Sequence, residues 1–200
     1  LDATPPAEWG APFTLRGQFR QPLLSTHSGD WQRWSGELFA HFPRVDVSRL
    51  HRHADLEGLQ VAQGRGAVRA WVDVQRGQIG GGTVDMALDE VNATLGKNLR
   101  PLALRTVTGR VGGRWLEDGF ELSTQNLQFV ADDGLHWPGG NLALRHSGQG
   151  QAGRERGELQ ADRLDLAALA QIASRLPLGD TVHGAVRDYA PRGLVEQLRA

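Results

Sequence analysis

The sequence predicts a mainly β protein: an antiparallel meander with one or two short helices packed on it. Three observations carry that reading. Apolar residues alternate with polar ones in run after run, the period that places every second side chain on one face of a strand. Turn formers are abundant, with 26 glycines and 9 prolines in 200 residues, which suits short connections better than long helices. Twice the alternation shifts phase by one residue, and such a slip demands a break or a β-bulge, the feature that bends and twists a sheet.

The elements follow in order. Phe13, Leu15, Gly17 and Phe19 alternate with Thr14, Arg16 and Gln18, as Trp34, Gly36, Leu38, Ala40 and Phe42 do further on, although Phe39 interrupts the polar side. Val47, Leu50 and Ala54 have helical spacing after Pro43, so a turn or two of helix is expected within Asp46 to Leu56. Val68, Ala70, Val72 and Val74 alternate with Arg69, Trp71 and Asp73, and Gln75-Arg76-Gly77 then turns the chain toward Ile79, which predicts a hairpin. From Val84, Met86 and Leu88 the apolar positions switch to Val91, Ala93 and Leu95, and a second switch falls between Leu104 and Val107. Bulges are therefore expected near Asp89 and Arg105.

Val111, Trp115, Phe120 and Leu122 flank a turn at Glu117-Asp118-Gly119. Leu127, Phe129 and Ala131 precede one at Asp132-Asp133-Gly134, and Leu142 and Leu144 follow one at Pro138-Gly139-Gly140. Consecutive strands joined by short turns make a meander. Ser147 to Glu158 is a glycine, glutamine and charge cluster and reads as an exposed loop. Leu166, Leu169, Ala170, Ile172 and Ala173 share one helical face after Asp165, an N-cap residue, so a helix is expected over 165–176 with Pro177 and Gly179 ending it. Leu194, Val195 and Leu198 predict a further short helix after Pro191.

Composition bounds function. A 40% hydrophobic content is enough to form a core, and 23 acidic against 22 basic residues leave no field to draw the chain to nucleic acid. There is no cysteine, which removes thiolate metal sites, cysteine nucleophiles and disulfides. No run approaches the roughly 20 apolar residues of a membrane-spanning helix. The chain opens at Leu1 without a methionine. It is expected to be a single β-rich segment, 1–200, of a longer protein.

Chemical motifs are weak. His51 and His53 would share a strand face, but no further ligand pattern follows them. Asp132 and Asp133 lack the alternating oxygen ligands of a calcium loop. Ser25, His27 and Asp30 supply triad residue types without a Gly-x-Ser-x-Gly elbow. Gly80-Gly81-Gly82 and Gly64-Arg65-Gly66 are not followed by the Gly-Lys-Ser/Thr of a phosphate loop. No catalytic residue, metal or cofactor is expected. Trp31, Trp34, Trp71, Trp115 and Trp137 are either aromatic edges of an apolar core or faces on which sugar rings stack.

Several segments carry a family resemblance. Trp34 to Ala40, Gly66 to Val74, Leu104 to Gly112 and Phe120 to Ser123 with Leu127 resemble, in order, the middle region of YhdP-type proteins of the AsmA-like superfamily. Leu164 to Leu169, Arg175 to Leu178 and Ala190 to Gly193 extend the likeness. The resemblance implies a protein anchored in the inner membrane and extended across the periplasm as a long β-sheet. That sheet curls into an open groove with an apolar floor, carrying phospholipid between inner and outer membranes. Its partners would be phospholipid acyl chains and adjoining repeats of the full-length protein, with self-association through exposed sheet edges.

On this resemblance the lipid-groove residues are Leu15, Phe19, Leu38, Val72, Val74, Val84, Met86, Leu88, Leu122, Leu127, Phe129, Leu142 and Leu144. Alternation by itself fits an ordinary core equally. The alternatives are a periplasmic scaffold or interaction module that carries no lipid, and a carbohydrate-binding β-sandwich.

Overall fold

A computed structural model describes residues 2–3, 11–20, 33–50, 60–148, 156–176 and 179–200. Among the described residues eleven strands form one sheet: β1 (Asp2–Ala3), β2 (Phe13–Arg20), β3 (Ser35–Asp46), β4 (Gln60–Gln75), β5 (Gln78–Thr94), β6 (Leu102–Leu116), β7 (Gly119–Ala131), β8 (His136–Trp137), β9 (Leu142–Ser147), β10 (Arg156–Asp165) and β11 (Leu194–Arg199). Each pairs antiparallel with the next, except that β7 pairs with both β8 and β9. β1 and β11 stand at opposite ends of the strand order, so the sheet is open and curled. A sandwich, which needs two facing sheets, is not what forms.

Local chemistry explains the joints. Arg76 and Gly77 both take positive φ, 52° and 72°, in the two-residue loop that joins β4 to β5. That is the mirror-image turn whose twist matches the flanking strands. The expected phase switches are real. Asp89 pairs with Thr106 and Val91 with Leu104, so Glu90 and Arg105 are skipped together, with Glu90 at φ 53°. Asn126 at φ 48° bulges opposite Gly109, where an added Cβ would lie 2.6 Å from the Leu127 Cα.

Three helices decorate the sheet. α1 (Val47–Leu50) follows β3, with Asp46 Oδ1 accepting from the Ser48 backbone N–H at 3.1 Å. The rest of the helix expected within Asp46 to Leu56 lies outside the described residues, as do Ser25, His27, Asp30, Trp31, His51 and His53. α2 (Leu166–Ile172) is capped by Asp165, whose carboxylate accepts from the Ala168 N–H at 3.0 Å, and a 3-10 turn (Ala173–Arg175) extends it. α3 (Gly179–Tyr189) was not expected. The 3-10 turn closes at Arg175 and α3 begins at Gly179, and His183 Nε2 sits 2.9 Å from both the Ala173 and Leu176 carbonyl oxygens.

Two expectations are corrected. The segment after Pro191 is strand β11: Gln197, at φ 55°, and Asp162 opposite it drop out of the pairing together, and Val195 and Leu198 pair with Leu164 and Ala161 despite their helical spacing. The exposed loop read over Ser147 to Glu158 is shorter at both ends: Ser147 closes β9 and Arg156 to Glu158 open β10, pairing with Ser147 to Arg145.

Candidate functional site

Strand register sorts the side chains onto two faces. One row of cross-strand neighbours runs Gly17, Leu38, Val72, Gly82, Gly113, Leu122, Leu144 and Leu159 from β2 to β10. The next runs Leu15, Ala40, Ala70, Val84, Val111, Thr124, Leu142 and Ala161. Beyond it Val68 pairs with Met86, and Gly66, Leu88, Val107 and Phe129 form a further row. At the other end Phe19, Gly36, Val74 and Ile79 align. Leu127 packs with Phe129 on the same side. The register therefore brings all thirteen sequence-derived groove residues onto one face. The bulges at Glu90 and Asn126 make this possible, each returning the apolar positions to that face after a phase change.

This face is covered at one end and bare at the other. Val45, Val47, Leu88, Val91, Leu104 and Phe129 belong to a buried cluster that Ala168 and Ile172 of α2 close from above. Trp137 of β8 stacks on Phe129, with ring centroids 5.8 Å apart. Leu88 and Phe129 are 8% and 7% exposed, so these two of the thirteen are core. Met86 and Leu127 pack against that core. At the far end Phe19 is 39% exposed, Leu122 42%, Ile79 64% and Trp115 69%. Large apolar side chains gathered at one end of one face are unusual for a surface that meets only water.

Several residues of the face escaped the sequence reading. Leu159, Ala161, Leu164, Val195 and Leu198 come from β10 and β11. The alternation of Leu159 with Ala161 was the available signal, but only two residues carry it before the chain shifts phase. Trp34 packs against Phe19, ring centroids 5.9 Å apart, with its indole nitrogen buried, which favours the core-edge reading for this tryptophan.

The opposite face is polar. Asp85 accepts from both Arg110 nitrogens, the Nη2 contact at 3.0 Å, and faces Arg69 at 3.5 Å. The Arg110 hydrogen bond holds the Asp85 carboxyl below the usual carboxylate range, against the opposing effect of burial. Among the described residues no three metal-ligating side chains gather.

The arrangement so far is an open, curled antiparallel sheet with one continuous apolar face. The chain matches the YhdP family, described as YhdP protein, over residues 1–200. The chain belongs to the YhdP family. No curated protein and no solved structure matches it. YhdP membership agrees with the resemblance read from the ordered segments between Trp34 and Gly193, and it makes this a region of a YhdP-type protein, a family generally associated with lipid transport in the cell envelope. A periplasmic region fits the YhdP family. No helix among the described residues is long and apolar enough to cross a membrane.

Proposed function

We propose that this chain is part of an inner-membrane-anchored periplasmic bridge that shields phospholipid acyl chains in a hydrophobic β-groove during transport between inner and outer membranes. It acts without catalysis and without a cofactor. The observation that supports the reading is the gradient of exposure along one apolar face, from Leu88 and Phe129 under α2 to Phe19 and Leu122 in the open. Each methylene taken from water contributes about 0.8 kcal/mol, so an acyl chain of about fifteen carbons needs shelter worth on the order of 10 kcal/mol. Neighbouring rows offer similar Leu, Val and Phe surface without charge, so a sliding chain meets no deep trap.

Adjoining repeats of the full-length protein would extend the face. Among the described residues β11 has one strand neighbour, β10, and its outer edge offers backbone to a next repeat or a second copy. A scaffold that carries no lipid accounts for the capped end but gives no role to the exposed Phe19, Ile79, Trp115 and Leu122. Mass spectrometry of organic extracts of the purified protein tests the reading. Phospholipid co-purifying with the wild type and lost from Leu122→Asp and Leu144→Asp is expected; equal phospholipid in all three proteins would overturn it.

A further inference from the structure

The polar face carries a trough of its own. Thr83, Gly112, Ser123 and Ala143 are cross-strand neighbours on β5, β6, β7 and β9, and all four line a concavity of about 460 Å³. Because their side chains are small, the row sits lower than the rows on either side. A second concavity continues from Asp73 and Thr83 to Phe39 and Trp71, and a third from Ser123 and Ala143 to Arg199 of β11. The depression thus runs across the sheet at right angles to the strands. Rows on one face are about 7 Å apart along a strand, so the flanking rows stand roughly 13 Å apart before their side chains lean in. The small-residue floor, from β5 to β9, crosses three inter-strand spacings, about 14 Å, and with Trp71 of β4 and Gln160 of β10 at its two ends the row spans five, about 24 Å. A single narrow chain fits such a channel, and a globular ligand does not.

The walls say what kind of chain. On one side Arg114, Glu121, Arg145 and Glu158 alternate in sign on four successive strands, and Arg145 reaches Glu121 at 3.4 Å. Charges that cancel along the wall neither attract a polyanion nor a polycation. They do present carboxylate acceptors and guanidinium donors in turn, the pairing that hydroxyl groups satisfy because each hydroxyl both donates and accepts. Cross-strand ion pairing alone would explain the alternation, but it requires neither a sunken row beside it nor an aromatic at its end. Trp71 stands there, 38% exposed on an otherwise polar face. Arg110 lies over its ring at 5.5 Å and Phe39 packs beside it at 5.3 Å, fixing the indole as a platform. An exposed, braced aromatic face next to paired hydrogen-bonding groups is suited to the C–H surface of a sugar ring.

We infer that this trough is a binding site for a neutral oligosaccharide chain, laid across the strands with one ring on Trp71 and successive rings over Thr83, Gly112, Ser123 and Ala143. It lies on the face opposite the apolar one, so it stands or falls independently of lipid carriage. The test uses the purified 200-residue chain with chitohexaose, cellohexaose and maltohexaose as probes, followed by the Trp71 indole N–H resonance and by calorimetry. At least one probe is expected to shift that resonance, with affinity falling tenfold or more in Trp71→Ala and in Ala143→Phe. Ala143→Phe fills the trough with a strand-favouring residue and leaves the register alone, which separates loss of the site from loss of the fold. Ile79→Asp, on the other face and outside the trough, is expected to bind as the wild type does. No shift with any hexasaccharide at millimolar concentration, binding unaffected by Ala143→Phe, or preferential binding of heparin through the same residues would each overturn the proposal.

Discussion

Arg175 donates to the Asp133 carboxylate at 2.6 Å, fastening the 3-10 turn after α2 to the loop between β7 and β8. The bond spans 42 residues of sequence and holds in place the helix that covers the closed end of the apolar face. The capped and open ends of that face are therefore set by one polar latch as well as by packing.

The latch has a pH signature. The hydrogen bond from Arg175, helped by the Leu135 N–H, holds the Asp133 carboxyl below its ordinary range. A lowered carboxylate contributes stability that is complete above the unfolded-state value, about 3.9, and is lost as pH falls through the folded one. Hydrogen-exchange protection of α2 amides should accordingly drop below about pH 4 in the wild type. In Asp133→Asn it should be lower at neutral pH and depend less on acid. Identical pH curves for the two proteins would remove the latch from the account.

Packing at the two ends should differ in stability terms. Ile172, on the buried side of α2, is 3% exposed, so Ile172→Ala should destabilise by about 2–4 kcal/mol in urea unfolding. Leu122, at 42% exposed, keeps a large share of its surface in water in the folded chain, and Leu122→Ala should cost less, about 1 kcal/mol. Equal losses at both positions would mean that the open end is filled.

Bulges bring the apolar positions onto one face, and their backbone is selective. Glu90 sits at φ 53°, a conformation costing roughly 1–2 kcal/mol for an L residue and more for a β-branched one. Its ion pair with Arg65 is exposed on both sides and offsets little. Glu90→Gly should leave stability unchanged or raise it by about 1 kcal/mol, whereas Glu90→Val should lower it by about 1–2 kcal/mol. A Val variant as stable as the Gly variant, at equal denaturant dependence, would contradict the strained bulge.

Much of this was legible in the sequence because period two and phase are local properties. Val68 to Val74, Val84 to Leu88 and Phe120 to Leu122 alternate long enough to define a strand and its inward face, and the shifts at Asp89 and Arg105 point to their own bulges. The strand misread is one where a break in alternation imitates another period. Leu194, Val195 and Leu198 have helical spacing because the alternation of β11 breaks at Gln197. α3 does carry a helical stripe in the sequence, Val182, Ala185, Val186 and Tyr189 at i, i+3, i+4 and i+7, but it follows directly on Pro177 and Gly179, which read as the end of helical structure. The division of the apolar face into a closed and an open end was not readable at all. Leu88 and Leu122 look alike in their strands, and what separates them is the distant α2, delivered by a turn and held by Asp133.

Lipid carriage requires that acyl chains touch the bare end of the apolar face. A photo-crosslinking residue placed at Leu122 or Leu144 in a Gram-negative cell expressing the full-length protein should capture phospholipid. The same residue at Phe129, beneath α2, or at Arg145, on the polar face, should not. Absence of phospholipid adducts at both Leu122 and Leu144, or equal capture at Arg145, would contradict it.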